Sequence, residues 1–158
     1  MNITFVGTAP REILQIDDAK IIYRNFTGAG SKFNREGDRN FSVKIEDQDI
    51  ANALIEAGYN VKIKAPRMDG DMPFMSLPVK IKYDDDGRGP TAYLKSGDKV
   101  IKLDSESIGC IDDIDILEVD LDIRPYDWEV NGKTGRSAYL QSIHVTQKID
   151  RFAARYED

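Results

Sequence analysis

Lys20, Arg24, Lys32, Arg35, Arg39 and Lys44 fall within twenty-five residues and face only two acids, Glu36 and Asp38. The segment is therefore +4 in a chain whose net charge is −6, which leaves −10 for the remainder. Tyr23, Phe26, Phe33 and Phe41 are interleaved with these bases. Ammonium and guanidinium groups neutralise phosphates, and aromatic rings stack on bases for about 1–3 kcal/mol each. The chemistry available to such a segment is to grip a flexible polyanion and hold its bases flat.

A second constellation repeats the theme. Arg124, Tyr126 and Trp128 alternate, so on a strand they project from one face. Lys133 and Arg136 follow around Asn131-Gly132, and Tyr139 lies on the return. Lys62 and Lys64 form the polar side of a short alternating run, and Arg67 opens a segment containing Met68, Met72 and Met75. The candidate binding residues are therefore Tyr23, Arg24, Phe26, Lys32, Phe33, Arg35, Arg39, Phe41, Lys62, Lys64, Arg67, Tyr126, Trp128, Lys133 and Arg136. For Phe26 and Phe41 the competing reading is a place in the core with the bases on a solvated face. For Trp128 it is an ordinary core anchor.

Other chemistries find less support. Gly28-Ala29-Gly30 neither follows a buried parallel strand nor opens a helix, so it is not a dinucleotide fingerprint. Carboxylates cluster at Asp84–Asp86, at Asp112–Asp115 and along Glu118, Asp120 and Asp122. A metal-dependent nuclease would use such groups, but it draws its ligands from separate elements with a Lys or His nearby. Here the acids crowd into turns and one strand face, as a solvated or partner-facing strand would. A structural protein-interaction β domain is the other alternative. From Asp104 to Asp122 there are eight acids and no base, compatible with one anionic and one cationic side of the molecule. No nucleophile elbow, phosphate-binding loop or zinc spacing occurs. Catalytic residues, metal ligands and cofactors are assigned to none, and the chain is expected not to be an enzyme.

Cys110 and His144 are the sole residues of their types, which removes an internal disulfide and a thiolate zinc site and points to an intracellular setting. Both sit among apolar neighbours and are read as core or half-buried. No apolar run approaches the roughly 20 residues that span a bilayer. The opening residues lack the basic and apolar regions of a signal peptide. With 41% apolar and 32% charged residues over 158 positions, residues 1–158 are expected to form one domain with a real core.

The elements that must position these groups are mostly strands. Alternation marks Asn2–Val6, Lys20–Phe26, Asn40–Glu46, Tyr59–Lys64, Pro73–Tyr83, Thr91–Lys95, Lys99–Leu103, Ile114–Arg124 and Ala138–Gln147. Leu77, Val79, Ile81 and Tyr83 point inward and Lys80 and Lys82 outward. Leu117, Val119, Leu121 and Ile123 form another inward stripe. Asp47–Ala57 reads as a helix with Asp47 or Asp49 as cap and Gly58 as stop. Shorter helical turns are expected at Asp104–Ile111 and Lys148–Tyr156. Thr27–Asp38 is expected to be a flexible tip carrying Lys32, Phe33 and Arg35. Strands, one lodged helix and further strands suit an OB-like Greek-key barrel, mainly β, with one main helix and extended β-hairpin arms.

Tyr23-Arg24-Asn25-Phe26, Lys32-Phe33-Asn34-Arg35, Asp38-Arg39-Asn40-Phe41, Asn60-Val61-Lys62 and the run from Arg124 to Gly132 resemble bacteriophage-type single-stranded-DNA-binding proteins. The likeness covers most of Lys20–Asp150. It implies an OB fold, single-stranded DNA as partner without sequence preference, no enzymatic activity, and a role in phage or mobile-element replication or recombination. It also implies a cytoplasmic location (the host's, for a phage product), contacts with replication or recombination proteins, room for a homo-oligomer, and no membrane. Such proteins often end in an acidic tail. Here the end is Arg155-Tyr156-Glu157-Asp158, a poor version of one.

Overall fold

The structure, a computed structural model, describes residues 1–149. Its strands are β1 Asn2–Val6, β2 Ile13–Asp17, β3 Lys20–Asn25, β4 Arg39–Ile45, β5 Lys62–Lys64, β6 Phe74–Ile81, β7 Thr91–Ser96, β8 Lys99–Leu103, β9 Ile116–Val130 and β10 Lys133–Gln147. One helix, α1 at Gln48–Glu56, lies between β4 and β5, and a 3-10 turn occupies Ile108–Asp112. The expectation of a mainly β, OB-like architecture holds.

Hydrogen bonding runs β1-β2-β9-β10-β6-β4-β3, with β5 on β6, and β7 joining β10 to β8. This order forces the sheet to roll up. β2 and β3 lie five ladder steps apart, roughly 24 Å in a flat sheet at about 4.8 Å per step. Yet only Asp18 and Ala19 separate them in sequence, a reach of about 11 Å. Asp18 takes a left-handed φ of 54° to make that turn. The Ala19 amide then donates to the Val119 carbonyl at 2.8 Å, and the Asp18 amide donates to Asp120 at 2.9 Å.

The seam between β3 and β9 is closed by side chains and the 3-10 turn. Arg24 donates to the carbonyls of Ile111 and Ile114 at 2.7 and 2.8 Å. Asp112 accepts from the amides of Phe26 and Thr27 at 2.7 and 3.0 Å. Groups that would otherwise be orphaned at a sheet edge are thereby satisfied.

Alternation builds the core. Phe41, Val43 and Ile45 of β4 pair with Val79, Leu77 and Met75 of β6, with Leu14, Ile16, Ile81, Leu121, Ile123 and Ile143 completing it. The helix starts where Asp47 accepts from the Asp49 amide at 2.8 Å, buries Ala51 and Leu54, and stops before Gly58 at φ 93°. Asn131 and Gly132, both left-handed at φ 51° and 79°, form the two-residue turn joining β9 to β10.

Several expectations are corrected. β2 was not anticipated, although Leu14 and Ile16 carry its two-residue period. The Tyr59–Lys64 run contributes only Lys62–Lys64. Tyr59 is buried by the helix end, whereas Ile63 is exposed. Leu117 is exposed because it sits at the irregularity where β9 shifts register against β10, unpaired between Ile116 and Glu118. Cys110 and His144 are both on the surface, the latter with its ring 5.0 Å from that of Tyr93. The strands expected at Ile114–Arg124 and Ala138–Gln147 continue into the arm as two unbroken 15-residue strands. The helix expected at Lys148–Tyr156 lies almost wholly outside the described residues.

Candidate nucleic-acid interface

The face of β6 away from the core runs Phe74, Ser76, Pro78 and Lys80, with Ser76 covered, and continues past the strand end to Lys82, because the intervening residues point into the core. Its neighbours align around Lys80. Asn40 of β4 pairs with Lys80, Lys80 with Tyr139 of β10, and Tyr139 with Arg124 of β9. Four strands thus present Asn40, Lys80, Tyr139 and Arg124 at one level of one face. The Arg124 guanidinium lies 5.1 Å and the Lys80 ammonium 5.9 Å from the centre of the Tyr139 ring. Cations held against a ring at this range are favourably placed by its quadrupole.

The arm extends the same face. Tyr126 meets Tyr139 edge to face at 5.8 Å. Trp128 sits across from Gly135, where any side chain would collide with the indole, so the glycine lets Trp128 lie on the backbone of the return strand. Trp128 is 38% exposed. At the other end of β6, Phe74 is 5.9 Å from the Lys44 ammonium and 6.5 Å from the Tyr23 ring. Tyr23 reaches it from a bulge between Ile22 and Asn25, with φ at 53°.

Two depressions meet on this face. One, of about 550 Å³, lies between the β3–β4 loop (Asn34, Arg35) and Lys82, Tyr83 and Tyr139. The other, of about 710 Å³, lies among Asn60, Lys62, Pro78 and Trp128. Lys80 belongs to both, so together they make one trough crossing the sheet. Lys62, Lys80, Lys82 and Arg124 form no ion pair among the described residues. Their charge is available to an incoming anion.

Of the residues picked from the sequence, Lys62, Arg35, Tyr126 and Trp128 border the trough or its arm wall, and Tyr23 joins the Phe74 end. Lys64, paired with Phe74, is exposed at that same end. Lys32 and Phe33 stand on the loop tip, Lys133 at the arm turn, and Arg67 in an exposed loop away from the ladder.

Five others have structural duties, although Arg39 and Arg136 also line the two depressions. Phe26 and Phe41 are 0% and 1% exposed and stack on each other at 5.0 Å inside the core. The face Phe41 shares with Val43 and Ile45 is the core face, and the Tyr23 bulge turns Phe26 inward to meet it. Arg24 is committed to the seam. Arg39 donates to the carbonyls of Phe26 and Ser105 at 3.2 and 2.8 Å, with its guanidinium 5.1 Å from the Tyr83 ring. Arg136 is a clamp. It donates to both Asp127 oxygens at 2.7 and 3.0 Å and to Glu12 at 2.9 Å, and lies 5.6 Å from the Tyr59 ring. That contact ties the arm to the end of α1 and to the β1–β2 loop.

The pairings set the ionisation. Hydrogen bonding from Arg136 holds the Asp127 carboxyl below its usual range, and Asp127 in turn pushes the Arg136 guanidinium up. Burial raises the Tyr59 phenol to about 12. Burial also raises Tyr83, whose hydroxyl has no partner among the described residues.

The sequence marks Lys80 and Lys82 only as outward-facing. Arg124 and Tyr139 belong to the second constellation and Phe74 is a candidate contact, but none of the three is selected as a binding residue. The outward phase of Lys80 and Lys82 was readable, but nothing in the sequence says which outward face carries the site. The acids have local duties: Asp112 holds the seam, Asp104 accepts from Ser107 at 2.9 Å, and Asp122 accepts from Ser142 at 3.1 Å. Among the described residues no group of three or more His, Cys, Asp or Glu is placed to hold a metal ion. Nor is any helix there long and apolar enough to cross a membrane.

The family described as "Putative phage ssDNA-binding domain" matches residues 3–158. Among solved structures, the fold is similar to a C-terminally truncated single-stranded DNA-binding protein from bacteriophage Enc34, with a TM-score of 0.51, 14% identity and 87% of each chain covered. It is also similar to the Enc34 protein in complex with ssDNA, with a TM-score of 0.50, 16% identity and 89% of each chain covered. At these identities the likeness is one of fold. None of the curated proteins matches the chain.

Proposed function

The chain belongs to the phage single-stranded-DNA-binding domain family, and from that membership we propose that a single DNA strand lies along the trough centred on Lys80. The observation carrying this reading is the level shared by Asn40, Lys80, Tyr139 and Arg124, where a ring lies close to two cations on one sheet face. Lys62, Lys80, Lys82, Arg124 and Arg35 take phosphates. Tyr139, Tyr126, Trp128, Phe74 and Tyr23 take bases. Stacking on rings and pairing with phosphates do not distinguish sequences, so binding is sequence-tolerant.

Residues 1–158 act as one non-catalytic domain, in the host cytoplasm, during phage or mobile-element replication or recombination. Lys64, Lys133, Arg67 and Lys32 add peripheral charge. Arg24, Arg39 and Arg136 support the site without touching DNA.

Titration with oligo-dT, followed by the emission of Trp128, tests the reading. Quenching should appear at low salt and reverse as salt rises, with log affinity falling by about 0.7 per phosphate neutralised for each unit of log salt. Absence of both quenching and gel retardation would overturn it.

A further inference from the structure

Phe33 stands apart from the other rings. It is 92% exposed, and it belongs to a loop whose neighbouring residues, Asn34 and Arg35, line the end of the trough while Phe33 itself does not. A large apolar ring held almost wholly in water on a pinned segment can meet a ligand without first being ordered. This segment is not free. The Asn34 side chain donates to the carbonyls of Ala29 and Asp38, both at 2.9 Å, and accepts from Asn40 at 2.9 Å. The Ser31 amide donates to the Asn34 carbonyl at 2.8 Å, closing a tight turn with Phe33 at its apex. The tip expected to flex is instead a hydrogen-bonded finger.

We propose that Phe33 is a wedge onto which the closing base pair of a flanking duplex stacks, so that the domain recognises the junction between single- and double-stranded DNA. The inference rests on the trough reading above. The ring lies beyond the trough, where a bound strand has to leave. A lone base leaving there would have to be ordered in order to stack. A terminal base pair is already ordered and offers two bases to one ring. Lys32, whose ammonium is 5.7 Å from the ring centre, and Arg35 at the trough end supply cations near the ring for the two backbones that diverge at a junction. Apolar side chains that open or cap base steps act by this physics.

The test compares oligo-dT alone with the same oligo-dT joined to a hairpin duplex at one end or the other, using wild type, Phe33→Ala and Phe33→Trp. Affinity is read from Trp128 in wild type and Phe33→Ala and by gel retardation in all three. A 2-aminopurine in the closing pair reports stacking. Wild type should bind one of the two junctions about five-fold or more tighter than dT alone, with the 2-aminopurine quenched. Phe33→Ala should lose that preference and keep its affinity for dT, and Phe33→Trp should retain both. Equal affinity for all three ligands, a preference that survives in Phe33→Ala, or an equal loss of dT and junction binding in Phe33→Ala would overturn the wedge alone. Failure of wild type to bind dT at all would remove the trough reading and the wedge with it.

Discussion

The two ribbons carry similar side chains and use them in opposite ways. In β3–β4 the phenylalanines Phe26 and Phe41 are inside and two of the arginines hold backbone carbonyls. In the β9–β10 arm Tyr126, Trp128 and Tyr139 lie on the outer face, with Arg124 beside them. The difference comes from what lies behind each strand. β4 is flanked by β3 and β6 and backed by the core, so every second side chain from Phe41 on is buried. The arm runs past the barrel, where one side meets water and the other is held by a single clamp, Arg136. A ring in the first ribbon fills space; a ring in the second is free to meet a ligand.

The widest separation should be in stability. Phe26→Ala or Phe41→Ala should lower unfolding free energy by about 3–5 kcal/mol in urea melts, since each empties a packed site. Trp128→Ala should leave the urea midpoint far closer to wild type. Comparable losses from the two ribbons would break the contrast.

Binding should then reverse the order. Trp128→Ala or Tyr139→Ala should weaken oligo-dT binding by about 1–3 kcal/mol, measured by anisotropy of a labelled strand on folded protein. Unchanged affinity in both would take the arm out of the interface.

A finer division separates cations that face DNA from those that brace the fold. Lys80→Gln should flatten the dependence of log affinity on log salt by about 0.7. Arg136→Gln should weaken binding through a loosened arm while leaving that slope intact. A flattened slope for Arg136→Gln would move it into the phosphate contacts.

The smallest effect is in acid. Because the folded carboxyl of Asp127 is depressed, its contact with Arg136 stabilises the arm above the ordinary carboxylate range and is lost as pH falls through the folded value. Trp128 emission should therefore shift at acidic pH, and Asp127→Asn should show the loosened arm already at neutral pH.

Much of the strand pattern was legible. Period-two runs located nine of the ten strands, the Asp47 cap and Gly58 stop bounded the helix, and Asn131-Gly132 marked the arm turn. β2 escaped because its five residues sit between polar flanks and offer just two buried positions, Leu14 and Ile16. The walls of the trough were also legible, as bases and rings near glycine turns. Its floor was not. Arg124 and Tyr139 are hairpin partners across the Asn131-Gly132 turn, but Lys80 comes from a strand far away in sequence and joins them through ladder register alone.

Local order along the chain thus settled which segments extend, where they turn, and that cations and rings concentrate in two of them. It could not assign inside and outside within those segments, because alternation gives two faces without saying which one meets the core. That choice came from the short β2–β3 turn that rolls the sheet, the bulge that turns Tyr23 outward and Phe26 inward, and the pairing that sets β6 between the ribbons. Each depends on contacts between residues distant in sequence, and burial of apolar area then decides which side chains remain for a ligand.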